Sequence, residues 1–175
     1  MRKVAILTPS YDGKTVCDFC VTMATIFQTA QRDRPELQLN LNFWMGEALI
    51  QKARNNLFCN AYDAGFDDIV FIDADQSFNA KAFFDLLDLP VDAVGVPVPM
   101  KTNEERYNIR PEDPSKHQWD NDLKLLEVEI IGTGMLRLSR KAMQALWERS
   151  RPYNDGGRQR RDRKSTRLNS SHIPL

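Results

Sequence analysis

Apolar residues along this chain form two kinds of pattern, short continuous runs and runs with helical spacing. Residues 3–8 and 69–72 are mainly apolar and partly β-branched, which is typical of strands buried on both faces of a sheet. Apolar positions recur every three or four residues over residues 16–32 and 47–64, which predicts two amphipathic helices. Residues 37–43 alternate apolar and polar side chains, which predicts a strand near a sheet edge.

Boundary signals accompany these segments. Thr15 and Asp18 form a capping-box pattern at the start of the first helix. Gly65 follows the second helix, where a left-handed residue is expected. Asn79 is predicted to cap a short helix that ends near residue 87, and Ser139 is predicted to cap a last helix.

The order of the predicted elements indicates the fold class. A strand over residues 91–98 must finish at a sheet edge because it contains Pro97 and is followed by Pro99. Residues 100–123 are polar and without a period, which predicts a long loop in which His117 is solvated. Another strand is predicted over residues 125–131. Strands separated by helices imply right-handed crossovers, so we predict an α/β fold with a mainly parallel central sheet and flanking helices.

Length and composition narrow the class of protein. A chain of 175 residues with 42% hydrophobic residues is long enough for one domain with a real core. No run approaches the roughly 20 apolar residues of a membrane span, and no signal-peptide core follows Met1, so we expect a cytoplasmic protein. The formal net charge is zero, which favours neither nucleic acid nor an anionic membrane as a partner.

Three cysteines, an odd number, fit reduced thiols better than a disulfide framework. Cys17 and Cys20 have the CxxC spacing found in some redox and metal sites. The helical spacing places Cys20 on the apolar stripe, and no second CxxC occurs, so a structural role is the favoured interpretation.

The last segment has a composition unlike the rest. Residues 162–172 correspond to one reading frame of a common sequencing-library adapter, so we expect residues 162–175 to be a non-native disordered tail. We therefore expect residues 1–161 to form one partial domain whose natural chain continues further. The alternative is a basic tail that binds nucleic acid.

Asp73-Ala74-Asp75 directly follows the buried strand at residues 69–72. Alternation along the strand places both carboxylates on one side at the carboxyl edge of the sheet, where ligands bind in open α/β folds. Two like charges at this spacing repel and are tolerated best beside a cation. The pattern therefore predicts a Mn²⁺ or Mg²⁺ site at Asp73 and Asp75. In the alternative, Asp73 is a turn residue and Asp75 a helix cap.

Four segments, taken in order, are informative together. They are Thr8-Pro9-Ser10-Tyr11, the helix with Ala53-Arg54-Asn55 that ends at Gly65, Phe71-Ile72-Asp73-Ala74-Asp75, and Gly132-Thr133-Gly134-Met135. This set resembles the GT-A-fold glycosyltransferases, especially the compact forms found in phages and bacteria. The resemblance covers about residues 3–147 and implies a Rossmann-like nucleotide-binding fold, here incomplete at the C-terminus.

The resemblance implies a metal-dependent enzyme that moves a sugar from a nucleotide-diphosphate-sugar donor to a glycan, lipid or protein acceptor. Arg54 would approach the nucleotide or diphosphate, Asp73 the ribose or the metal, and Asp75 would coordinate the Mn²⁺ or Mg²⁺ that bridges the diphosphate. The nucleotide would lie against the first loop, which consists of Thr8, Pro9, Ser10, Tyr11 and Asp12. The acceptor side would be bordered by a glycine-rich turn, which consists of Gly132, Thr133 and Gly134.

No catalytic base is assigned. Inverting members of the family place a catalytic carboxylate, and often a metal-binding histidine, downstream of the segment matched here. Glu127 and Glu129 alternate with Val128 and Ile130, so they are predicted to form an ordinary solvent face.

Two other functions stay open. A haloacid-dehalogenase-like phosphatase also places DxD after an apolar strand and uses the first Asp as nucleophile. In that family the motif is expected on the first strand, with Thr or Val at the place that Ser77 occupies here. The other alternative is a nucleotide-sugar-binding fragment without catalytic activity.

Overall fold

A computed structural model describes residues 1–98, 107, 109–111, 119–120, 122–155 and 158–162. Most of the predicted loop at 100–123, with His117, and residues 163–175 of the predicted tail lie outside the described residues. The helices are α1 Cys17–Asp33, α2 Ile50–Asp63, α3 Ala80–Asp88 and α4 Arg140–Arg149. The strands are β1 Arg2–Ser10, β2 Leu37–Met45, β3 Asp68–Ile72, β4 Ala93–Gly95, β5 Ile109–Pro111, β6 Trp119–Asp120, β7 Leu125–Leu126, β8 Val128–Ile131, β9 Met135–Ser139, β10 Arg151–Asp155 and β11 Arg158–Asp162.

The main sheet has five strands in the order β2-β1-β3-β9-β4. β1 pairs in parallel with β2 and β3, whereas β9 pairs antiparallel with β3 and β4. The α/β class is confirmed. The sheet is mixed, with two parallel and two antiparallel pairings, and β9 is the strand that runs against the other four. The prediction of a mainly parallel sheet rested on the strands that helices separate. β9 instead follows the turn at residues 132–134, so no crossover helix fixes its direction.

Two apolar clusters cover the two faces of the sheet. On one face, Val4 and Ile6 of β1 pack with residues of α1 and α3 such as Ile26 and Phe83. On the other face, alternate β1 residues pack with α2 and α4; this second cluster includes Ala5, Leu7, Leu57 and Met143. Each fully buried aliphatic or aromatic side chain contributes roughly 1.5–3 kcal/mol. Strands β1 and β3 are buried on both faces, as their apolar runs predict.

Three helix-boundary predictions are confirmed. Gly65 has a positive φ of 73° immediately after α2. The side chain of Asn79 accepts a hydrogen bond from Lys81 N at 2.9 Å, and Ser139 Oγ accepts one from Ala142 N at 3.2 Å. The edge predictions also hold, since β2 and β4 lie at the two ends of the sheet order.

The predicted start of α1 is wrong in detail. Its N-cap is Val16, in an extended conformation without a side-chain cap hydrogen bond. Thr15 Oγ1 instead lies 3.2 Å from Cys20 Sγ, and Cys20 is exposed. Phe19 and Met23 lie on the buried face of α1. Cys20 follows Phe19 by one residue, and because successive residues point in different directions around a helix, Cys20 lies outside the core. All the cysteines are free thiols, as predicted.

A C-terminal hairpin covers part of α2. Its strands β10 and β11 pair antiparallel, from Arg151 opposite Asp162 to Asp155 opposite Arg158. Arg160 Nη1 donates to Asn60 Oδ1 on α2 at 2.6 Å. This hairpin was not predicted from the sequence, although the Gly-Gly pair at 156–157 is a hairpin signal. Within the described part of the chain, no helix is long and apolar enough to cross a membrane.

Candidate functional site

The predicted nucleotide loop, residues 8–12, and the two aspartates Asp73 and Asp75 lie at or after the carboxyl ends of β1 and β3. These two strands are parallel neighbours, so the loops that follow them start side by side at one edge of the sheet. Val16 N, at the end of the first loop, donates a hydrogen bond to Ala74 O at 3.3 Å. The first loop therefore ends against the Asp73-Ala74-Asp75 segment.

Asp73 joins three of the predicted segments. Arg54 Nη2 on α2 donates to Asp73 Oδ1 at 2.7 Å, and Asp73 N donates to Gly134 O at 3.1 Å. A Cβ on residue 134 would lie 3.1 Å from Val98 Cγ2 and 3.6 Å from Asp73 Oδ2. The tight contact is with Val98, which would have to shift slightly to admit a Cβ, whereas the distance to Asp73 is an ordinary van der Waals contact.

The two carboxylates lie outside the apolar core. The Asp73 side chain is 31% exposed, and Asp75 is exposed. No group of three or more His, Cys, Asp or Glu side chains that could hold a metal occurs among the described residues. Mg²⁺ is usually bound by one or two carboxylates together with substrate phosphates, and not by an all-protein cage. The pair therefore fits a cation that a protein and a phosphate ligand hold jointly.

The first three residues of the predicted nucleotide loop belong to the buried end of β1. Thr8 and Pro9 are buried, and Thr8 Oγ1 has no hydrogen-bond partner among the described residues. Ser10 is also buried, and its Oγ donates to Lys14 O at 2.8 Å. The Ser10 hydroxyl thus stabilises the loop by an internal hydrogen bond. The exposed surface of the loop begins at Tyr11.

Tyr11 and Asp12 form the exposed part of this loop. Tyr11 is 68% exposed, and its carbonyl accepts a hydrogen bond from Gly46 N at 2.9 Å, which ties the loop to the end of β2. The Asp12 carboxylate accepts from Lys14 N at 3.1 Å, and this hydrogen bond lowers the pKa of Asp12. The structure therefore places Tyr11 and Asp12 on the surface between the ends of β1 and β2.

Arg54 lies between the open edge and a small cavity behind it. The cavity has a volume of about 40 Å³. That is room for a few water molecules and far too little for a nucleotide, so this cavity is not a nucleotide-binding pocket. Arg54 Nε is buried and has no partner among the described side chains. The cavity is lined by Arg54, Asn55, Phe58, Phe71, Thr133, Leu136, Leu138, Ser150 and Arg161.

Some of the residues that line the cavity behind Arg54 were not predicted from the sequence. Phe58, Ser150 and Arg161 close the cavity behind Arg54, and the last two belong to the region of the C-terminal hairpin. Only the Gly-Gly pair at 156–157 could have indicated that this region folds back. The carboxylates of Glu127 and Glu129 lie in or beside β8, which pairs with β5 in a separate small sheet. The structure therefore gives no reason to assign either of them as a base.

A scan against models of known protein families finds no match to this chain, and no similar sequence is found among curated proteins. A functional assignment therefore depends on the geometry of the sheet edge.

Proposed function

We propose that this chain is a metal-dependent glycosyltransferase that takes a sugar from a nucleotide-diphosphate-sugar donor. The observation that supports it most is that four separate segments meet at Asp73 and the adjacent Ala74. The first loop, helix α2, the end of β3 and the turn before β9 all reach the same edge of the sheet. These are the segments on which the resemblance to the GT-A fold depends, so we also propose that the mixed sheet belongs to that fold.

In this proposal Asp75 is the main protein ligand of the cation. Asp73 Oδ1 is already paired with Arg54, so Asp73 acts chiefly as an anchor for Arg54 and for the ribose or metal. A hard cation such as Mn²⁺ or Mg²⁺ would stabilise the negative charge that develops on the leaving nucleoside diphosphate. The remaining N–H groups of the Arg54 guanidinium suit phosphate oxygens. Gly132, Thr133 and Gly134 would border the acceptor.

A thermal-shift panel tests the proposal. We expect UDP-sugars or GDP-sugars to raise the melting temperature of the chain only when Mn²⁺ or Mg²⁺ is present, because the protein supplies only part of the cation's ligands. Asp75→Ala should abolish this shift. Asp85→Ala is a matched control, since it removes an exposed carboxylate from α3, where Asp85 pairs only with Lys81 among its described contacts. A folded protein that shows no shift with any donor and metal would contradict the proposal.

Assays of turnover separate the alternatives. A phosphatase would use Asp73 as nucleophile, although Arg54 is paired with one of its oxygens. Release of phosphate from a simple monoester, with trapping of a phosphorylated Asp73, would favour that alternative. Metal-dependent binding of a nucleotide sugar without hydrolysis or transfer would favour a binding fragment.

A further inference from the structure

Strand β2 is a long edge strand without the usual protection. Its nine residues, Leu37–Met45, pair with β1 on one side. On the other side, no strand pairs with it among residues that the structure describes. Edge strands are commonly guarded by charged residues or proline, which discourage pairing with another chain. β2 contains no Lys, Arg, Asp, Glu or Pro, and the whole chain has zero formal net charge.

The geometry of a strand limits how β2 could pair with a copy of itself. Backbone N–H and C=O groups of alternate residues point toward β1, and those of the residues between them point outward. In an antiparallel pair, outward-pointing residues must face outward-pointing residues. A two-fold axis must therefore pass through a residue and not between two residues. An axis through Leu41, the middle of β2, uses the full length of the strand.

This register also matches side chains of the same kind. On the face covered by α1, apolar residues of one copy of β2 lie opposite apolar residues of the other copy. On the opposite face, one pair joins two asparagines and one joins an amide with an aromatic ring. The pairs are Leu37 with Met45, Leu39 with Phe43, Leu41 with Leu41, Asn40 with Asn42, and Gln38 with Trp44.

The same register covers apolar surface that is otherwise exposed. Phe43 is 39% exposed and Met45 is 62% exposed, on the side of the sheet where Phe43 packs edge-on against Phe19. Pairing would bring Leu39 and Leu37 of a second copy onto them. Apolar side chains directly opposite each other on paired strands stabilise the pairing.

We propose that two copies of this chain associate through β2, antiparallel and with the two-fold axis at Leu41, so that two five-stranded sheets become one continuous sheet. The carboxyl edges of the two sheets then face opposite directions, so the two sites around Asp73 do not obstruct each other. This proposal does not depend on glycosyl transfer.

Charge substitutions at Asn40 and Asn42 test both the interface and its register. Asn40→Lys with Asn42→Lys places lysine opposite lysine at both symmetry-related pairs, whereas Asn40→Lys with Asn42→Glu places opposite charges there. Neither residue lies in the buried core, so both double variants should fold, which circular dichroism and melting curves check.

Sedimentation of the whole chain over a wide concentration range measures the result. We expect a wild-type dimer, a lysine–lysine variant whose dissociation constant is at least about tenfold higher, and a lysine–glutamate variant close to wild type. A wild-type chain that stays monomeric at every concentration would overturn the proposal. A folded lysine–lysine variant that dimerises normally, or equal loss in both variants, would also overturn it.

Discussion

The two ends of β3 each carry an aspartate, and their surroundings differ sharply. At the start of the strand, the Asp68 side chain is only 3% exposed. It accepts hydrogen bonds from Arg2 Nε at 2.6 Å and from Arg137 Nε and Nη2 at 2.8 and 2.6 Å. Just after the end of the strand, Asp73 is 31% exposed and accepts one side-chain hydrogen bond, from Arg54 at 2.7 Å, among the described contacts.

The difference separates a buried structural cluster from a partly exposed ion pair. The second arginine of the buried cluster, Arg137, also donates to Leu89 O and Val91 O, and so fixes the chain between α3 and β4. Buried charges are tolerated only when they are paired and hydrogen-bonded, and the Asp68 cluster meets that condition. At the other edge, the Arg54–Asp73 pair is partly exposed, with side-chain exposures of 15% and 31%, so a molecule in solution can reach it.

The largest predicted effect is on the buried cluster. Asp68→Ala leaves Arg137, which is 5% exposed, without its counter-charge. We expect a loss of about 3–5 kcal/mol in the free energy of unfolding, measured by urea denaturation. The neighbouring exposed carboxylate of Asp67 accepts a hydrogen bond from Lys3 N, so Asp67→Ala is a matched control that should cost about 1 kcal/mol. Equal losses in the two variants would contradict the comparison.

Arg54→Ala should affect binding more than stability. Because Asp73 is partly solvated, we expect only about 1 kcal/mol of destabilisation. If the proposed function holds, the same change removes a charge-assisted hydrogen bond worth about 1.5–3 kcal/mol, so nucleotide-sugar affinity should fall by about tenfold or more.

Urea denaturation measures the change in stability, and calorimetric titration measures the change in nucleotide-sugar affinity. Arg54→Lys keeps the charge without the forked donors, and it should recover only part of the affinity. A destabilisation as large as that of Asp68→Ala would show that Arg54 serves mainly the fold.

The smallest effect concerns Asp92, which precedes β4 at the same edge as Asp68. Lys141 Nζ lies 2.8 Å from Asp92 Oδ2, and Ser139 Oγ donates to Oδ1 at 2.7 Å. These contacts, that of Lys141 foremost, lower the pKa of Asp92 below its ordinary value of 3.8. Asp92→Asn should therefore cost about 1 kcal/mol near neutral pH.

The pH dependence follows from the direction of that shift. A carboxylate with a lowered pKa in the folded state stabilises the fold above its unfolded pKa, and this contribution is lost as the pH falls through its folded pKa. Denaturation curves of wild type and Asp92→Asn should therefore converge under strongly acidic conditions. A difference that stays constant down to that range would show that the ion pair is not its cause.

Local patterns were sufficient to predict most of the elements. The apolar runs at β1 and β3 are buried on both faces, and Asn79 and Ser139 cap their helices, because each signal depends on neighbours within a few residues. The strand direction of β9 was not predictable in this way, since it depends on how a polar segment without periodicity returns to the sheet. The failed capping box at Thr15 shows that a matching pair of residues does not fix the cap.

The site also combines features that local patterns predict with features that depend on residues far apart in the chain. Asp73, Arg54 and Gly134 were predicted as site residues, and the structure brings them into contact. The roles assigned to them stay predictions. The cluster around Asp68 was missed because Arg2 and Arg137 are far from it along the chain. Its one local sign is an arginine inside the apolar strand β9.

The C-terminal hairpin covers the Cys59 thiol, so the reactivity of this thiol reports when the hairpin separates from α2. Cys59 Sγ accepts a hydrogen bond from Arg161 N at 3.4 Å, and burial raises the pKa of the Cys59 thiol. A thiolate-selective alkylating reagent would therefore label Cys17 and Cys20 first. Cys59 would be modified only in molecules whose hairpin has lifted from α2, so its labelling rate measures how often that happens.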